Sequence, residues 1–311
     1  MTGRGAVTKD VSKLAAAVER HTGADGDFET AIPGLWLYRS STPSEEHAVV
    51  YVPSLCVVTQ GAKEVAVGGK TYRYDPAQSV LVSVDMPALT HVADATAECP
   101  CLAIRIPIDP PVVGELLAEG LAIPPLGRPV RGLGVINLDP PLLDAVGRLL
   151  GLLDAPDEIP ALAPLVLCEI TFRLLVGPEG ARLRQIATAG APAQRVARAI
   201  RWLRDHFAEP LRVETLAKHV GMSPSALHHH FKNVTALSPL QYQKRLRLQE
   251  ARRLMAGEGL EAGEAAFRVG YESQSQFGRE YRRQFGESPR RDVAALKAEV
   301  QRSEKSGLVS V

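Results

Sequence analysis

A duplicated pattern near the C-terminus constrains the fold of this chain more than any other feature of its sequence. Residues 214–227 contain a short apolar helix pattern that stops at Gly221 and is followed by a second helix pattern, and residues 264–277 repeat this order with a stop at Gly270. Glycine tolerates the left-handed backbone conformation that a sharp turn between two helices requires. Each copy therefore predicts a helix-turn-helix.

The two copies stay in register beyond the turn. Phe231 is followed eight residues later by Pro239, and Tyr281 is followed eight residues later by Pro289. One such turn would fit any three-helix bundle. Two turns in register instead indicate a DNA-binding region that presents two recognition helices.

Helical geometry separates an apolar face from a polar face on each second helix. At 100° per residue, Leu227 and Phe231 share one side of the first helix, and Phe277 and Tyr281 share one side of the second. We expect these residues to anchor the helices, while the opposite faces point towards DNA, where glutamine and arginine bond base edges bidentately. The outward polar residues are Ser225, His228, His229, Lys232, Ser275, Gln276, Arg279, Arg282 and Arg283.

A capping box opens a connecting helix between the two units. In the sequence Ser238-Pro239-Leu240-Gln241, serine and glutamine can satisfy backbone groups at the helix start, and proline suits the first helical position. The helix is predicted to run to about Ala256 and to hold the two recognition helices about one turn of DNA, roughly 34 Å, apart. Its predicted polar surface consists of Lys244, Arg245, Arg247, Arg252 and Arg253.

Charge divides the chain into two unlike parts. Residues 194–293 carry 18 Lys and Arg against 11 Asp and Glu, a net charge of +7, whereas residues 1–193 carry 15 against 22, a net charge of −7. A basic region suits a polyanion because each neutralised phosphate releases counterions. We therefore expect the C-terminal part to bind double-stranded DNA. Basic faces are often only solvated, and that alternative stays open for the arginines of the connecting helix.

Residues from about 193 to 293 resemble the DNA-binding domain of the AraC/XylS family of bacterial transcription regulators. The resemblance rests on Leu216-Ala217, Gly221-Met222-Ser223, Phe231-Lys232, Arg253-Leu254-Met255, Gly270-Tyr271-Glu272-Ser273 and Gly286-Glu287-Ser288-Pro289. It implies DNA base contacts by Ser225, His228, His229, Gln274, Ser275, Gln276 and Arg279. Phosphate contacts are expected from Lys232, Arg282 and Arg283.

Two parts of the implied DNA-contacting surface are unusual. By helical angle Gln274 lies near the buried side, and only its place at the helix N-terminus would let it reach DNA. Three consecutive histidines, His228 to His230, stand where the family more often has glutamine or arginine.

The first part of the chain has the sequence pattern of a β structure. Short β-rich runs at residues 35–39, 48–52, 55–59, 63–67, 71–74, 79–84 and 102–106 alternate with turn signals such as Gly68-Gly69. Regular short strands indicate a small barrel or jelly roll. Residues 53–70 also resemble the cupin-like barrel that serves as effector receptor in regulators with this DNA-binding module. The predicted fold class is α+β, with an N-terminal cupin-like β-barrel followed by helices and an all-α C-terminal domain with two helix-turn-helix motifs.

Helical signals follow the strands at residues 110–119, 141–153, 160–175 and 179–188. The apolar run 161–168 is too short to span a bilayer, so we expect a core or dimerisation helix. Related regulators usually dimerise through these helices, which implies a homodimer; a helix packed only on its own barrel is the alternative. The predicted organisation is an N-terminal arm (1–32), an effector-binding barrel (33–108), a helical dimerisation and linker region (109–191), a DNA-binding domain (192–293, with motifs at about 213–234 and 262–285) and a flexible tail (294–311).

Four cysteines raise a second interpretation, a thiol- or metal-sensing regulator. Cys99 and Cys101 are spaced so that a strand would place both thiols on one face, where a soft metal or an electrophile could bind. Small buried residues in a barrel are the simpler interpretation for both, and Cys56 is expected in the core. With Cys168, these cysteines fit a reducing compartment.

Enzymatic and membrane functions are disfavoured. A metal-dependent barrel enzyme needs clustered histidine and carboxylate ligands, whereas His47 and His91 stand alone among the predicted strands. We therefore predict no enzymatic activity, no cofactor and no metal site. No N-terminal segment has the pattern of a signal peptide, so we expect a cytoplasmic protein without a membrane partner.

The sequence thus predicts a sequence-specific DNA-binding transcription regulator whose barrel senses a small molecule and whose two motifs read adjacent major grooves. The alternative is a thiol- or metal-sensing regulator that uses Cys99 and Cys101. Expected partners are double-stranded DNA, a small-molecule effector, a second copy of the chain and, for an activator, RNA polymerase. The sequence does not identify the effector-binding residues or the operator.

Overall fold

The protein is described by a computed structural model that covers residues 3–76, 78–119, 130–188 and 190–296. A mixed N-terminal part of helices and strands precedes an all-helical C-terminal part, so the predicted α+β fold class is confirmed. The expected tail, residues 294–311, lies almost entirely outside the described residues.

The described strands form two antiparallel sheets. They are β1 (Gly26–Glu29), β2 (Trp36–Ser40), β3 (His47–Tyr51), β4 (Ser54–Gln60), β5 (Ala62–Val67), β6 (Lys70–Tyr74), β7 (Ser79–Val82), β8 (Met86–Asp94), β9 (Cys101–Pro107) and β10 (Leu133–Ile136). The larger sheet has the order β1-β2-β9-β4-β7-β10 and the smaller one β3-β8-β5-β6. The predicted barrel is therefore not closed, because each strand pairs only within its own sheet.

The sequence pattern gives no signal for β8, although this strand lies inside the smaller sheet. β8 pairs with β3 on one edge and with β5 on the other. Pro87 and His91 interrupt the apolar, β-branched run that marks the other strands. Pairing on both edges holds this segment extended where its local sequence does not.

The helices of the N-terminal part cover the outer surface of the larger sheet. They are α1 (Gly3–Arg20), α2 (Pro110–Ala118), α3 (Pro140–Gly151), α4 (Ile159–Val176) and α5 (Gly180–Ala187). Leu14 and Val18 of α1 are buried in one cluster with Leu55 of β4 and Ile104 of β9. Residues 3–20, which fall in the expected N-terminal arm, thus contribute a helix to the core.

Helix α4 is apolar on two sides. Ala163, Val166 and Ile170 are buried in the core, whereas other large apolar residues of the helix face solvent. Among the described residues, Pro156–Val176 is the one stretch long and apolar enough to cross a membrane. Helix α4 packs on α3, and its buried residues belong to the hydrophobic core, as expected for a core helix of a folded domain. The exposed apolar residues are Leu162, Leu165, Phe172 and Val176.

The C-terminal part consists of short helices joined by tight turns. They are α6 (Pro192–Asp205), α7 (Val213–His219), α8 (Pro224–Thr235), α9 (Pro239–Gly257), α10 (Ala262–Arg268) and α11 (Gln274–Phe285). Gly221 and Gly270 adopt left-handed φ angles of 68° and 88° at the two predicted turns. A side chain at Gly270 would also collide with the carbonyl oxygen of Ala208, so glycine is required there for space as well as for conformation.

Serine caps start the helices that follow these turns. The side chain of Ser223 accepts a hydrogen bond from the backbone N–H of Ala226 at 3.2 Å, and Ser273 caps α11 in the same way. At α9, the predicted capping box is confirmed, because Ser238 and Gln241 each bond the backbone N–H of the other. Helix α9 ends one residue beyond its predicted end.

The C-terminal part packs directly on the smaller sheet and on the turns around it. Arg204 of α6 donates a hydrogen bond of 2.7 Å to the carboxylate of Asp85. The hydroxyl of Tyr242 in α9 donates a hydrogen bond of 2.8 Å to the backbone carbonyl of Asp85. The amide of Gln249, also in α9, donates to the carbonyl oxygen of Val49 in β3 at 2.8 Å. The two parts of the chain therefore share a polar interface.

Candidate nucleic-acid interface

Helix α8 has the two faces that its sequence predicts. Leu227 and Phe231 are fully buried, and the ring of Phe231 packs edge-on against Tyr242 with centroids 5.4 Å apart. This burial fixes the helix against α9 and leaves its other face in solvent. The predicted contact residues Ser225, His228, His229 and Lys232 are all exposed on that face.

Helix α11 repeats the arrangement in the second unit. Phe277 and Tyr281 are buried, with ring centroids 5.4 Å apart, and the ring of Tyr271 also packs against Phe277, at 5.3 Å. These aromatic rings anchor α11 on α9 and α10. The predicted contact residues Gln274, Ser275, Gln276, Arg279, Arg282 and Arg283 are all exposed.

The cations of the two recognition helices have no carboxylate partner among the described residues. The exposed Arg253 of α9, by contrast, pairs with Glu250 at 2.7 Å and with Glu258 at 3.1 Å. A cation without an internal partner keeps its full attraction for an external anion such as a DNA phosphate. The unpaired cations are Lys232, Arg279, Arg282 and Arg283.

A carboxylate that sequence reasoning missed orients one of the predicted base-contacting residues. Glu280 accepts hydrogen bonds from Gln276 at 3.2 Å, Lys244 at 2.7 Å and Tyr271 at 2.8 Å. Partial burial opposes ionisation of Glu280, but these three donors hold its pKa below the ordinary value. The side chain of Gln276 is therefore held in place on the exposed side of α11.

The position of Gln274 fits its predicted place at the helix start. It is the first residue of α11 and its side chain is exposed, with the amide group lying against Gly263 of α10. A side chain at Gly263 would displace that amide. The small residue in α10 thus leaves room for a polar group that the helical angle alone would place near the buried side.

The three consecutive histidines have different surroundings. His229 accepts a hydrogen bond from the amide of Asn233 at 3.1 Å, and its ring meets that of His230 edge-on at 5.1 Å. His230 is half-buried, and burial, with a smaller contribution from His229, lowers its pKa. Among the described residues, no group of three His, Cys, Asp or Glu side chains could hold a metal ion.

The predicted polar surface of α9 is wrong for Arg247, because this side chain turns inward. Its guanidinium donates to the backbone carbonyls of Phe207 at 2.7 Å, Glu209 at 2.8 Å and Gly270 at 2.8 Å. Helical periodicity places arginine on the polar side but does not show that neighbouring loops supply carbonyl oxygens there. Arg247 is a structural residue and is not available to DNA.

Arg252, also predicted on the polar surface of α9, turns inward as well. Its side chain, 13% exposed, forms two hydrogen bonds with the carboxylate of Asp292, at 2.8 and 2.7 Å. The hydroxyl of Tyr281 donates to the same carboxylate at 2.7 Å. Asp292, which sequence reasoning missed, thus joins the connecting helix to the recognition helix of the second unit.

A separate candidate site for a small molecule lies between the two sheets. It is a cavity of about 150 Å³ with polar and aromatic side chains in its wall. Tyr51 lies within hydrogen-bonding distance of Tyr74, with the hydroxyl oxygens 3.2 Å apart, and donates to Thr90 at 3.2 Å. The remaining polar and aromatic groups of the wall include Trp36, Tyr38, His47, Lys63 and Arg105.

The structure separates Cys99 from Cys101 in exposure. Strand β9 begins at Cys101, which is buried, whereas Cys99 precedes the strand and is exposed, so the expected shared face is absent. Burial raises the pKa of Cys101 to about 11 and also raises the pKa of Cys56. Thiols that stay protonated are poor nucleophiles and metal ligands, which disfavours the thiol-sensing interpretation.

Comparison with known proteins also distinguishes an N-terminal part from a C-terminal part of the chain. Residues 31–182 match the AraC-type transcriptional regulator N-terminus family, and residues 216–294 match a helix-turn-helix domain family. The HTH-type transcriptional activator RhaS of Escherichia coli (strain SE11) is 35% identical over 98 residues, which is 32% of this chain and 35% of RhaS. RhaS of Escherichia fergusonii is 40% identical over 91 residues, 29% of this chain and 33% of that protein. The match thus spans about a third of the length of these relatives.

Solved structures share the fold over most of the chain. An apo variant of ToxT from Vibrio cholerae, with one lysine replaced by alanine, aligns with a TM-score of 0.54 and 9% identity, over 85% of this chain and 98% of ToxT. ToxT with a bound unsaturated fatty acid aligns with a TM-score of 0.54 and 11% identity, over 87% and 96%.

The fold and the two exposed recognition helices define a DNA-binding transcription regulator of the helix-turn-helix class. The chain belongs to the AraC family of transcription regulators and carries an N-terminal AraC-type domain. This is a family of regulators and not of enzymes.

Proposed function

We propose that the protein is a ligand-responsive transcription regulator that reads two adjacent major grooves with α8 and α11. The observation that supports this most is the shared design of the two helices. Each buries an aromatic side chain on one face and exposes polar residues and unpaired cations on the other. The connecting helix α9 contacts both, so the two readers are held in one unit.

The exposed residues divide into two kinds of DNA contact. Glutamine and arginine bond adenine and guanine edges bidentately, and serine and histidine donate or accept single bonds. Base contacts are assigned to Ser225, His228, His229, Gln274, Ser275, Gln276 and Arg279. Phosphate contacts, which position the domain without reading sequence, are assigned to Lys232, Arg282 and Arg283.

The effector is assigned to the cavity between the sheets, and β3 offers a path from it to the DNA-binding part. Val49 and Val50 of β3 line the cavity. The carbonyl oxygen of Val49 also accepts the hydrogen bond from Gln249 of α9. A ligand that shifts β3 therefore acts directly on the helix that connects the two readers, so effector and DNA affinities are reciprocally coupled.

The exposed apolar side of α4 supports a homodimer. Leu162, Leu165, Phe172 and Val176 are 39%, 66%, 36% and 46% exposed. Together with Glu169, their spacing along the helix alternates between three and four residues, which is the spacing of a coiled-coil seam. A second copy with the same stripe would cover these side chains in a two-fold interface.

The relatives named as transcriptional activators favour activation as the output. In that role RNA polymerase would be the partner at the promoter. We also expect the protein to be cytoplasmic, because a transcription regulator must reach the DNA.

The decisive experiment measures how Arg279 contributes to DNA specificity. A preferred site is first selected from a random oligonucleotide pool with the full-length protein. Replacing Arg279 by Ala should then weaken binding to that site by about 1–3 kcal/mol and relax the preference at one base pair. Replacing Lys232 by Ala should weaken binding to all sequences about equally and reduce the salt dependence by about one phosphate contact.

Arg253→Ala is the matched control. It removes an exposed arginine from the same domain, but this arginine already pairs with two glutamates. Its effect on DNA affinity should be small. Equal loss of affinity for the selected site and for random DNA in the Arg279 variant would contradict base readout by α11.

A further inference from the structure

Two cations face the cavity between the sheets. Lys63 of β5 and Arg105 of β9 both line it, from opposite sheets. Lys63 shares the inward face of its strand with the buried residues Val65 and Val67. Placing two cations in a partly buried cavity is costly unless an anion compensates them.

No carboxylate among the described residues forms an ion pair with either cation; Asp25 and Glu64, for example, pair with other arginines. The amine of Lys63 instead lies 3.8 Å from the ring centroid of Tyr38, and the guanidinium of Arg105 lies 5.0 Å from that of Trp36. Aromatic faces attract cations but offer no hydrogen-bond acceptor oxygen. Asp27, the one acidic side chain among the described residues of the wall, is exposed.

The rest of the wall is apolar and the space is small. Leu37, Val49, Val50 and Ala103 line the cavity, whose volume is about 150 Å³. A cavity of roughly 150 Å³ in a protein core admits a molecule the size of benzene. The space therefore matches one flat ring better than an extended chain.

We propose that this cavity takes a small organic carboxylate with a flat apolar body, its carboxylate held by Lys63 and Arg105 and its body against Trp36 and Tyr38. The inference rests on the proposed receptor function and adds the chemical class of the effector. The carboxylate supplies the two cations with charge-assisted hydrogen bonds, bidentate at the guanidinium. The aromatic rings keep both cations in place while the cavity is empty.

The test compares benzoate with benzamide, which has the same shape without the charge, by calorimetric titration of the full-length protein. Benzoate should bind at least tenfold more tightly than benzamide. Lys63→Met and Arg105→Gln should each reduce benzoate affinity about tenfold or more, because a hydrogen bond to a charged group is lost. The matched control is Lys70→Met, since Lys70 also lies over a tyrosine ring, at 4.7 Å from the centroid of Tyr72, but is exposed outside the cavity.

Benzoate affinity in the Lys70 variant should equal that of the wild type. Equal binding of benzoate and benzamide, unchanged benzoate affinity in both cavity variants, or no benzoate binding at millimolar concentration would each overturn the carboxylate assignment. Circular dichroism and binding to the selected DNA site show that the variants are folded.

The receptor function itself is tested separately with Ala103→Phe, which fills the cavity. If neutral aromatics bind the wild type, change its DNA affinity and lose both effects in this variant, the receptor function stands and only the carboxylate class fails. If neither charged nor neutral ligands change DNA affinity in the wild type, the receptor function fails too.

Discussion

The guanidinium of Arg247 donates a hydrogen bond of 2.8 Å to the carbonyl oxygen of Gly270. Arg247 belongs to the connecting helix, and Gly270 is the left-handed residue at the turn of the second helix-turn-helix. The same guanidinium also bonds the carbonyls of Phe207 and Glu209, in the segment between α6 and α7. One side chain thus joins three segments, and it fixes the second unit relative to the first.

Replacing Arg247 by Met should destabilise the DNA-binding part by about 2–3 kcal/mol, because backbone carbonyls lose a charged donor. The free energy of unfolding is measured by urea titration followed by tryptophan fluorescence, since Trp202 lies on α6. The control is Arg253→Met, which breaks only exposed ion pairs and should change stability by less than about 0.5 kcal/mol. Equal stability of the two variants would show that the carbonyl contacts of Arg247 contribute nothing.

Replacing Asp292 by Asn tests the second link between α9 and α11. The substitution leaves the guanidinium of Arg252, which is 13% exposed, without its carboxylate partner and weakens the bond from Tyr281. A loss of about 2–3 kcal/mol is expected, near the lower limit for breaking a buried ion pair. Glu287→Gln removes an exposed pair with Arg291 in the same region and should have almost no effect. Hydrogen exchange of α11 amides reports whether the loss is local.

The sequence predicts those parts of the fold whose cause lies within a few residues. The capping box of Ser238 and Gln241 is such a case, because both partners lie in one turn of helix. The two faces of α8 and α11 follow from helical periodicity in the same way. Strand β8 was missed because its extended form depends on β3 and β5, which lie far away along the chain.

The candidate sites show the same limit. The exposure of Arg279 follows from its own helix, whereas the inward turn of Arg252 depends on Asp292, 40 residues away. The cavity combines Lys63 and Arg105 from strands of different sheets, and no local pattern links these two residues. Partners that are distant in sequence become visible only in the folded chain.

Replacing Leu165 by Glu tests the proposed dimer. Leu165 is 66% exposed, which makes it the most exposed residue of the apolar stripe on α4. Two glutamates facing each other across a two-fold interface repel and remain desolvated, so the substitution should weaken self-association at least tenfold. Sedimentation equilibrium of the full-length protein measures this.

Phe267→Glu is the control for the dimer experiment. Phe267 is 62% exposed but lies on α10, in the DNA-binding part. Its replacement should leave self-association unchanged. A monomeric wild type, or dimers of equal strength in the Leu165 variant, would contradict an interface on α4.

The affinity for benzoate should depend on pH through Lys63. Burial lowers the pKa of the Lys63 amine below its ordinary value, although nearby acidic groups, among them Cys101 and Asp27, oppose the shift. Only the protonated amine attracts a carboxylate, so affinity is full below the lowered pKa and falls as the pH rises through it. Benzoate binding should therefore weaken as the pH rises towards the ordinary lysine value of about 10.4, before an exposed lysine would titrate.

The other titratable groups of the cavity wall do not produce this change. Burial raises the pKa of Tyr38 and of Tyr51 to about 12 and lowers that of His47, so these groups stay neutral over this rise in pH. The remaining titratable or charged groups facing the cavity are Asp27, Cys56, Tyr74 and Arg105, with Cys101 nearby. Lys63→Arg carries a guanidinium that remains charged, and its benzoate affinity should not vary with pH. Calorimetry in two buffers of different ionisation enthalpy should also show proton uptake on binding to the wild type at alkaline pH. A pH profile that is the same in the wild type and in the arginine variant would exclude Lys63 as the carboxylate ligand.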